Sequence, residues 1–183
     1  RWFIWGLTAI VFLALPLVFE KKFALALMSQ AGIMIIFALS YNMLLGQSGM
    51  LSFGHAVYSG LGAYFAIHAM NLIGKGAFFV PVSLLPLVGG LAGLGFGCVF
   101  GWLTTRKAGT PFAMITLGLG EMVFAASLMF PEFFGGEGGI TANRTVGGNV
   151  LGVSGWTYGP QIQVYYLIAA WCFASMVAMF AFT

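Results

Sequence analysis

The feature that most constrains the fold is a run of 52 residues, 23–74, that contains no Asp, Glu, Lys or Arg. As one straight helix this run would be about 78 Å long, whereas the hydrocarbon core of a bilayer is about 30 Å thick. The run must therefore turn back once. Gly46-Gln47-Ser48-Gly49 lies near its middle and leaves a helix-length apolar segment on each side, so we predict that the chain reverses direction there.

The composition of the whole chain is that of a membrane protein. Charged residues make up 6% of the 183 residues and hydrophobic residues 61%, whereas a soluble domain is about 25% charged. Apolar stretches long enough to span a bilayer recur along the chain. We predict an all-α integral membrane protein with about six transmembrane helices in a single domain, 1–183. The predicted spans are 2–19, 23–45, 50–72, 81–103, 111–130 and 162–182.

The two ends and one loop complete this organisation. The chain begins at Arg1 and finishes at Thr183 as an apolar run ends, so we expect it to be part of a longer protein, incomplete at both ends. Residues 131–161 contain nine glycines and three charged residues, which favours a surface or re-entrant loop. Lys and Arg are divided too evenly between the two sides to orient the spans.

Several classes of function are excluded by the residues present. The net charge of +3 is small and scattered, so nucleic-acid binding has no support. His55 and His68 would lie about 20 Å apart along one helix and have no ligand-type residues at suitable spacing, which argues against a metal site. Neither a phosphate-binding loop nor a nucleophile elbow occurs. We therefore predict no catalytic residue, no metal and no cofactor in this chain.

Small residues form stripes on two predicted spans. Gly89, Gly93, Gly97 and Gly101 recur every four residues in the fourth span and would share one helix face. The third span carries a similar stripe, comprising Ser52, His55, Ala56, Ser59, Gly60 and Ala63. Such faces favour close helix packing, and a pore lining is the alternative interpretation.

Glu121 is the one carboxylate well inside a predicted span, in "TLGLGEMVF". A charge near the bilayer centre costs a few kcal/mol or more, and intramembrane acids usually mark functional sites. We expect Glu121 to face protein or water, on a helix face shared with Met114, Gly118 and Ala125. The alternative is a structural role, in which a neutral or hydrogen-bonded carboxyl group ties helices together.

Three blocks, in register over roughly residues 35–145, resemble one family. "YNMLLGQSGMLSFGHAVYSGLGAYFA" resembles the signature of the permease subunits of branched-chain amino acid ABC importers, the LivM-like family. "TTRKAGTPFAMITLGLGEMV" is similar to that family's basic loop and T-L-x-x-x-E helix, and "FFGGEGGI" to its G-G-x-x-G-I loop. The matching positions are Asn42, Leu44, Gly46, Gly49, Leu51, Ser52, Gly54, His55, Ala56, Gly60, Gly62, Ala63, Tyr64, Arg106, Thr116, Leu117, Glu121, Gly135, Gly136, Gly139 and Ile140.

The resemblance implies a bacterial inner-membrane permease subunit that forms half of the translocation path for branched-chain or similar small amino acids. Its implied partners are a second related permease, a periplasmic substrate-binding protein and two ATPase subunits that bind ATP and Mg. It also places the Arg106–Lys107 loop in the cytoplasm and the 131–161 loop in the periplasm. The chain ends before the family's ATPase-docking loop.

The polar residues of these motifs are candidates for the translocation path. They are Asn42, Gln47, Ser48, Ser52, His55 and Glu121, and the periplasmic loop motif comprises Gly135, Gly136 and Gly139. Within the same family the residues do not distinguish an importer of urea or short amides from one of amino acids. A passive membrane channel is the alternative from another class.

Overall fold

The computed structural model describes residues 2–19, 21–76, 80–107, 109–145 and 158–182. All regular secondary structure in these ranges is helical, which confirms the all-α prediction. The helices are α1 (Trp2–Val18), α2 (Lys22–Ser48), α3 (His55–Gly74), α4 (Leu85–Thr104), α5 (Thr110–Met129), α6 (Pro131–Phe134) and α7 (Gln161–Phe182). Single 3₁₀ turns, Val82–Leu84 and Gly136–Gly138, precede α4 and follow α6.

Five of the described helices are long and apolar enough to cross a bilayer. They are α2, α3, α4 with the 3₁₀ turn before it, α5 and α7. Helix α1 has 17 residues, a length of about 26 Å, and so falls short of the roughly 30 Å hydrocarbon core. The structure therefore supports five clear spans and one shorter apolar helix where the sequence predicted six spans.

The outward-facing side chains of these helices are themselves apolar. On α4, for example, Leu94 and Val99 are each 65% exposed and Trp102 is 68% exposed. In water these surfaces would oppose folding, because each exposed apolar area carries an unfavourable hydration free energy. Lipid removes that cost, so the described surface fits a multi-pass membrane protein.

The chain divides into two compact units, of which the first comprises Arg1–Ser40 and Gly155–Thr183. In this unit the Tyr165 hydroxyl donates to the Phe12 carbonyl oxygen at 2.9 Å, which joins α7 to α1. A Cβ atom on Gly32 of α2 would lie 3.0 Å from the Ile168 side chain of α7. Glycine at this position therefore lets α2 and α7 approach closely.

The second unit, Tyr41–Ser154, contains the sequence motifs. Its centre is the packing of α3 on α4, with α5 and α6 against α3 and the loops. Pro111 lies in the first turn of α5, where its missing N–H costs little. The preceding Gly109 has a φ of 77°, a left-handed conformation that glycine adopts without strain. The assignment of one permease domain to 1–183 stays a prediction.

Candidate functional site

The break between α2 and α3 is the centre of the candidate site. Helix α2 continues through Ser48, and the chain leaves it at Gly49, whose φ is 63°. The Gly49 N–H donates to the Leu45 carbonyl oxygen at 3.1 Å, a helix ending that favours glycine because it has no Cβ. Residues 49–54 are not helical. The reversal predicted at Gly46–Gly49 thus begins later, since only the second of these glycines is left-handed.

The non-helical segment lies directly against α5. The Phe53 N–H donates to Thr116 Oγ1 at 3.2 Å, and the fully buried Thr116 hydroxyl donates in turn to the Ala113 carbonyl oxygen at 2.9 Å. A Cβ atom on Gly54 would overlap the Thr116 carbonyl oxygen. Non-helical backbone inside a membrane is tolerated where protein surrounds it, and α5 provides that surrounding here.

Ser52 is buried in this segment, with 3% of its surface exposed. Its Oγ has no hydrogen-bond partner in the part of the chain that the structure describes. The sequence placed Ser52 on the small-residue stripe of the third span, but α3 begins at His55. That placement was wrong, because helical periodicity has no meaning for a residue that precedes the helix. This conformation leaves the hydrogen-bonding capacity of the Ser52 hydroxyl unused.

An aromatic cluster surrounds the first turn of α3. The His55 ring packs edge-on against Tyr41 of α2, with ring centroids 5.5 Å apart, and lies 6.4 Å from the Tyr58 ring. The Tyr58 side chain hydrogen-bonds Thr104 at the end of α4. The cluster therefore connects the end of α2, the start of α3 and the end of α4 within the second unit.

The glycine stripe of α4 contacts α3 over half of its length. A Cβ atom on Gly89 would lie 3.0 Å from the Gly62 carbonyl oxygen, and one on Gly93 would lie 3.2 Å from the Tyr58 carbonyl oxygen. At Gly97 and Gly101 an added Cβ would meet no described atom within 4 Å. The packing expected of all four glycines is therefore narrowed to two, because α3 and α4 diverge from the contact toward the end of α4.

The loop after α5 is shaped by its three motif glycines. Gly135, Gly136 and Gly139 have φ values of 78°, 61° and 65°, in a region that disfavours residues with a Cβ. A Cβ atom on Gly135 would also overlap the Gly139 carbonyl oxygen. The motif spacing G-G-x-x-G thus follows from the compact turn that these residues form.

Aromatic contacts attach α6, at the start of that loop, to α3. The His68 Nε2–H donates to the Phe133 carbonyl oxygen at 2.8 Å, and the two rings stack with centroids 4.6 Å apart. Phe134 is buried and packs edge-on against Tyr64 at 4.9 Å. His68 therefore has a structural partner at the end of α3 opposite to His55.

The remaining candidate residues lie on exposed helix surfaces. Asn42, Gln47 and Ser48 are exposed on the last two turns of α2, next to the break. Glu121 is exposed on α5 and lies one and a half turns beyond Thr116. The structure thus brings Ser52 and His55 together at the break and places Glu121 on a separate surface of α5.

Two threonines that hold the site were not among the predicted site residues. Thr116 supports the break and Thr104 supports Tyr58, and both are almost fully buried. A hydroxyl group in an apolar span is the only signal that the sequence offers for either residue. Helical threonines commonly bond their own backbone, so that signal does not reveal a contact 63 residues away along the chain.

The chemistry available at this site is reversible polar contact. The described residues contain no group of three or more His, Cys, Asp or Glu that could hold a metal ion. What the site does offer is a helix break, a buried hydroxyl group and glycine contacts, all of which depend on how closely α2, α3, α4 and α5 pack. Such a site fits the passage or gating of a small polar solute.

Comparison with known proteins gives the family. The family model described as "Branched-chain amino acid transport system / permease component" matches residues 23–183. The high-affinity branched-chain amino acid transport system permease protein LivM of Salmonella typhimurium is 34% identical over 109 residues, and that of Escherichia coli is 33% identical over 109 residues. Each match covers 60% of this chain and 24% of the relative. No solved structure matches the chain at a significant level.

The matched region and the architecture agree. Residues 23–183 include nearly all of the five helices that could cross a membrane, as well as the break and both glycine motifs. The aligned segment amounts to about a quarter of the length of the LivM relatives. The chain belongs to the family of permease components of branched-chain amino acid transport systems.

Proposed function

We propose that this chain forms one permease half of an ATP-driven importer of branched-chain or similar small amino acids in the bacterial inner membrane. The single observation that carries the proposal is the family match over residues 23–183. The LivM relatives are named as permeases of a high-affinity branched-chain amino acid system. A second related permease, two ATPase subunits that bind ATP and Mg, and a periplasmic substrate-binding protein complete the proposed complex.

In this proposal the break between α2 and α3 lies in or beside the translocation path. Asn42, Gln47 and Ser48 supply exposed polar groups on one side of it, and Ser52 and His55 lie within or next to it. These neutral groups can replace part of the hydration of a zwitterionic amino acid without binding it tightly. Tight binding would slow release, so a mildly polar path suits transport better than a high-affinity site.

The break is also suited to a change between inward-facing and outward-facing states. A state change requires an element with two arrangements whose populations a ligand can shift. The buried Ser52 hydroxyl has no partner in the described structure, which leaves it available for a hydrogen bond in the other arrangement. ATP binding by the partner subunits would supply the free energy that shifts these populations.

Uptake by cells tests the proposed function. Cells that lack the full-length gene should lose uptake of labelled leucine and regain it when the gene is returned. Labelled urea, supplied to the same cells, is the matched control. Restored urea uptake without leucine uptake would contradict the proposed substrate, and leucine flux that persists after deletion of the partner ATPases would indicate a passive channel.

A further inference from the structure

Glu121 occupies an unusual position for a carboxyl group. It lies about 16 Å from the start of α5 and about 12 Å from its end, at the helical rise of 1.5 Å per residue, which places it near the middle of the span. Its side chain is exposed on the surface of the chain. No described residue forms a hydrogen bond or ion pair with it. The carboxyl group therefore needs a partner that this part of the chain does not provide.

The helix face around Glu121 is shaped for another helix. Gly118 and Ala125 flank the carboxyl group on the same exposed face, and a Cβ atom added to Gly118 would meet no described atom within 4 Å. Leu117 and Met122 are 51% and 54% exposed beside them. Small residues on each side of one polar group are typical of helix–helix contacts in membranes.

Lipid and water fit this face less well than protein does. Lipid would leave the carboxyl group without a hydrogen bond at the depth where that is most costly. A water-filled path would favour further polar side chains beside Glu121, whereas its exposed neighbours from Met114 to Leu128 are apolar or glycine. A protein helix can pack on the apolar and small residues and also offer a hydrogen-bond donor to the carboxyl group.

We propose that the exposed face of α5 around Glu121, comprising Leu117, Gly118, Met122 and Ala125, docks the second permease subunit, which presents a hydrogen-bond donor to Glu121. This inference rests on the proposed function, because it takes its partner from the two-permease complex. It adds the surface that this chain uses and the chemistry that the partner's helix must carry at that depth.

Site-specific cross-linking in the intact full-length complex tests the contact. The photoreactive residue p-benzoylphenylalanine replaces Leu117 or Met122, and replaces Leu94 of α4, which is 65% exposed, as the control. The proposal predicts cross-links to the second permease from Leu117 and Met122 and none from Leu94. Cross-links to lipid alone, to a second copy of this chain, or equally from Leu94 would overturn it.

A matched pair of glycine variants tests the close approach without relying on a reactive probe. Gly118→Leu and Gly95→Leu each add bulk to an exposed, mid-helix glycine with open space around it. We expect Gly118→Leu to lose the second permease on co-purification and Gly95→Leu to retain it. Retention by both variants, with monodisperse protein, would overturn the inference.

Variants of Glu121 test the polar contact. Glu121→Gln keeps a hydrogen-bond acceptor and should retain the partner, whereas Glu121→Leu should weaken the association about tenfold. A lipid-facing position predicts the opposite, namely equal or better assembly with leucine. Rapid labelling of Glu121→Cys by a membrane-impermeant thiol reagent in the assembled complex would show a water-filled path and overturn the proposal.

The same preparations separate this inference from the proposed function. Leucine uptake by the unmodified complex reports on the function, and the cross-linked species report on the interface. A complex that imports leucine but cross-links through another face would overturn only the α5 interface. A complex that cross-links as expected but fails to import leucine would overturn only the transport proposal.

Discussion

At the scale of single residues, Gly54 has the closest contact at the break, because its backbone touches the Thr116 carbonyl oxygen. Gly54→Ala should destabilise the protein by about 1–3 kcal/mol, the usual cost of forcing an extra group into a packed site. The φ of Gly54 is −93°, so this cost is steric and does not arise from backbone strain. Thermal unfolding in detergent measures it.

Gly60→Ala is the matched control for this substitution. Gly60 lies in the second turn of α3, and an added Cβ would meet no described atom within 4 Å. Alanine in a helix interior is more stable than glycine by about 0.5–1 kcal/mol, so this variant should unfold at the same temperature or higher. Equal destabilisation by both variants would contradict the close contact at Thr116.

Ser52 predicts a separation between stability and transport. Ser52→Ala removes a buried hydroxyl group that has no partner in the described structure, and such a group costs about 1–3 kcal/mol when it stays unpaired. The variant should therefore be as stable as the unmodified protein or more stable, while leucine uptake falls if the hydroxyl group acts in another state. Ser59→Ala, which removes an intrahelical bond to Ala56, should leave both unchanged. Unchanged uptake by Ser52→Ala would remove Ser52 from the path.

The sequence identified most of the polar residues at the break but not their supports. The motif that contains Gly49, Ser52, Gly54 and His55 was recognised as one block. Periodicity alone placed Ser52 on a helix, because an apolar run without charges carries no signal for six non-helical residues before α3. Thr116 lies in another block, and its contact with Phe53 depends on tertiary packing.

At the scale of helices, the contact between α3 and α4 depends on Gly62. A Cβ atom on Gly62 would lie 2.6 Å from the Gly89 carbonyl oxygen, closer than real Cβ contacts. Gly62→Ala should therefore lower the unfolding temperature, because two helix backbones must separate. Gly97→Ala on α4, where the space is open, should have no effect or raise the unfolding temperature by the helix preference of alanine.

Opposite outcomes for Gly62→Ala and Gly97→Ala are the signature of this contact. Similar losses of stability in the two variants would indicate that the whole stripe of Gly89, Gly93, Gly97 and Gly101 is packed. The sequence predicted the stripe from its spacing of four. It could not locate the crossing point, since the angle between two helices depends on side chains from both of them.

At the scale of the whole molecule, topology can be tested with single cysteines. Cys98 is exposed and Cys172 is buried, so Cys98 is first replaced with alanine. Under the proposed orientation, Thr145→Cys should react with a membrane-impermeant reagent from the periplasmic side, and Lys107→Cys only in inverted vesicles. Labelling with the opposite sidedness would reverse the orientation, and labelling of both from one side would contradict an odd number of crossings between them.

Composition predicted the membrane environment, whereas charge could not predict orientation. The apolar spans follow from a chain that is 6% charged, because soluble folds need more surface charge. The first span was predicted at full length, but α1 has 17 residues. Its Pro16 lies inside the helix near the end, and proline disfavours helix continuation.

Concentrative uptake of leucine by the purified complex tests the central claim most directly. Full-length protein is reconstituted in liposomes with its partner permease, the two ATPases and the binding protein, and labelled leucine is followed with and without ATP. The account predicts accumulation against the leucine gradient only when ATP and the binding protein are both present. Leucine that merely equilibrates across the membrane, at the same rate without ATP, would contradict it.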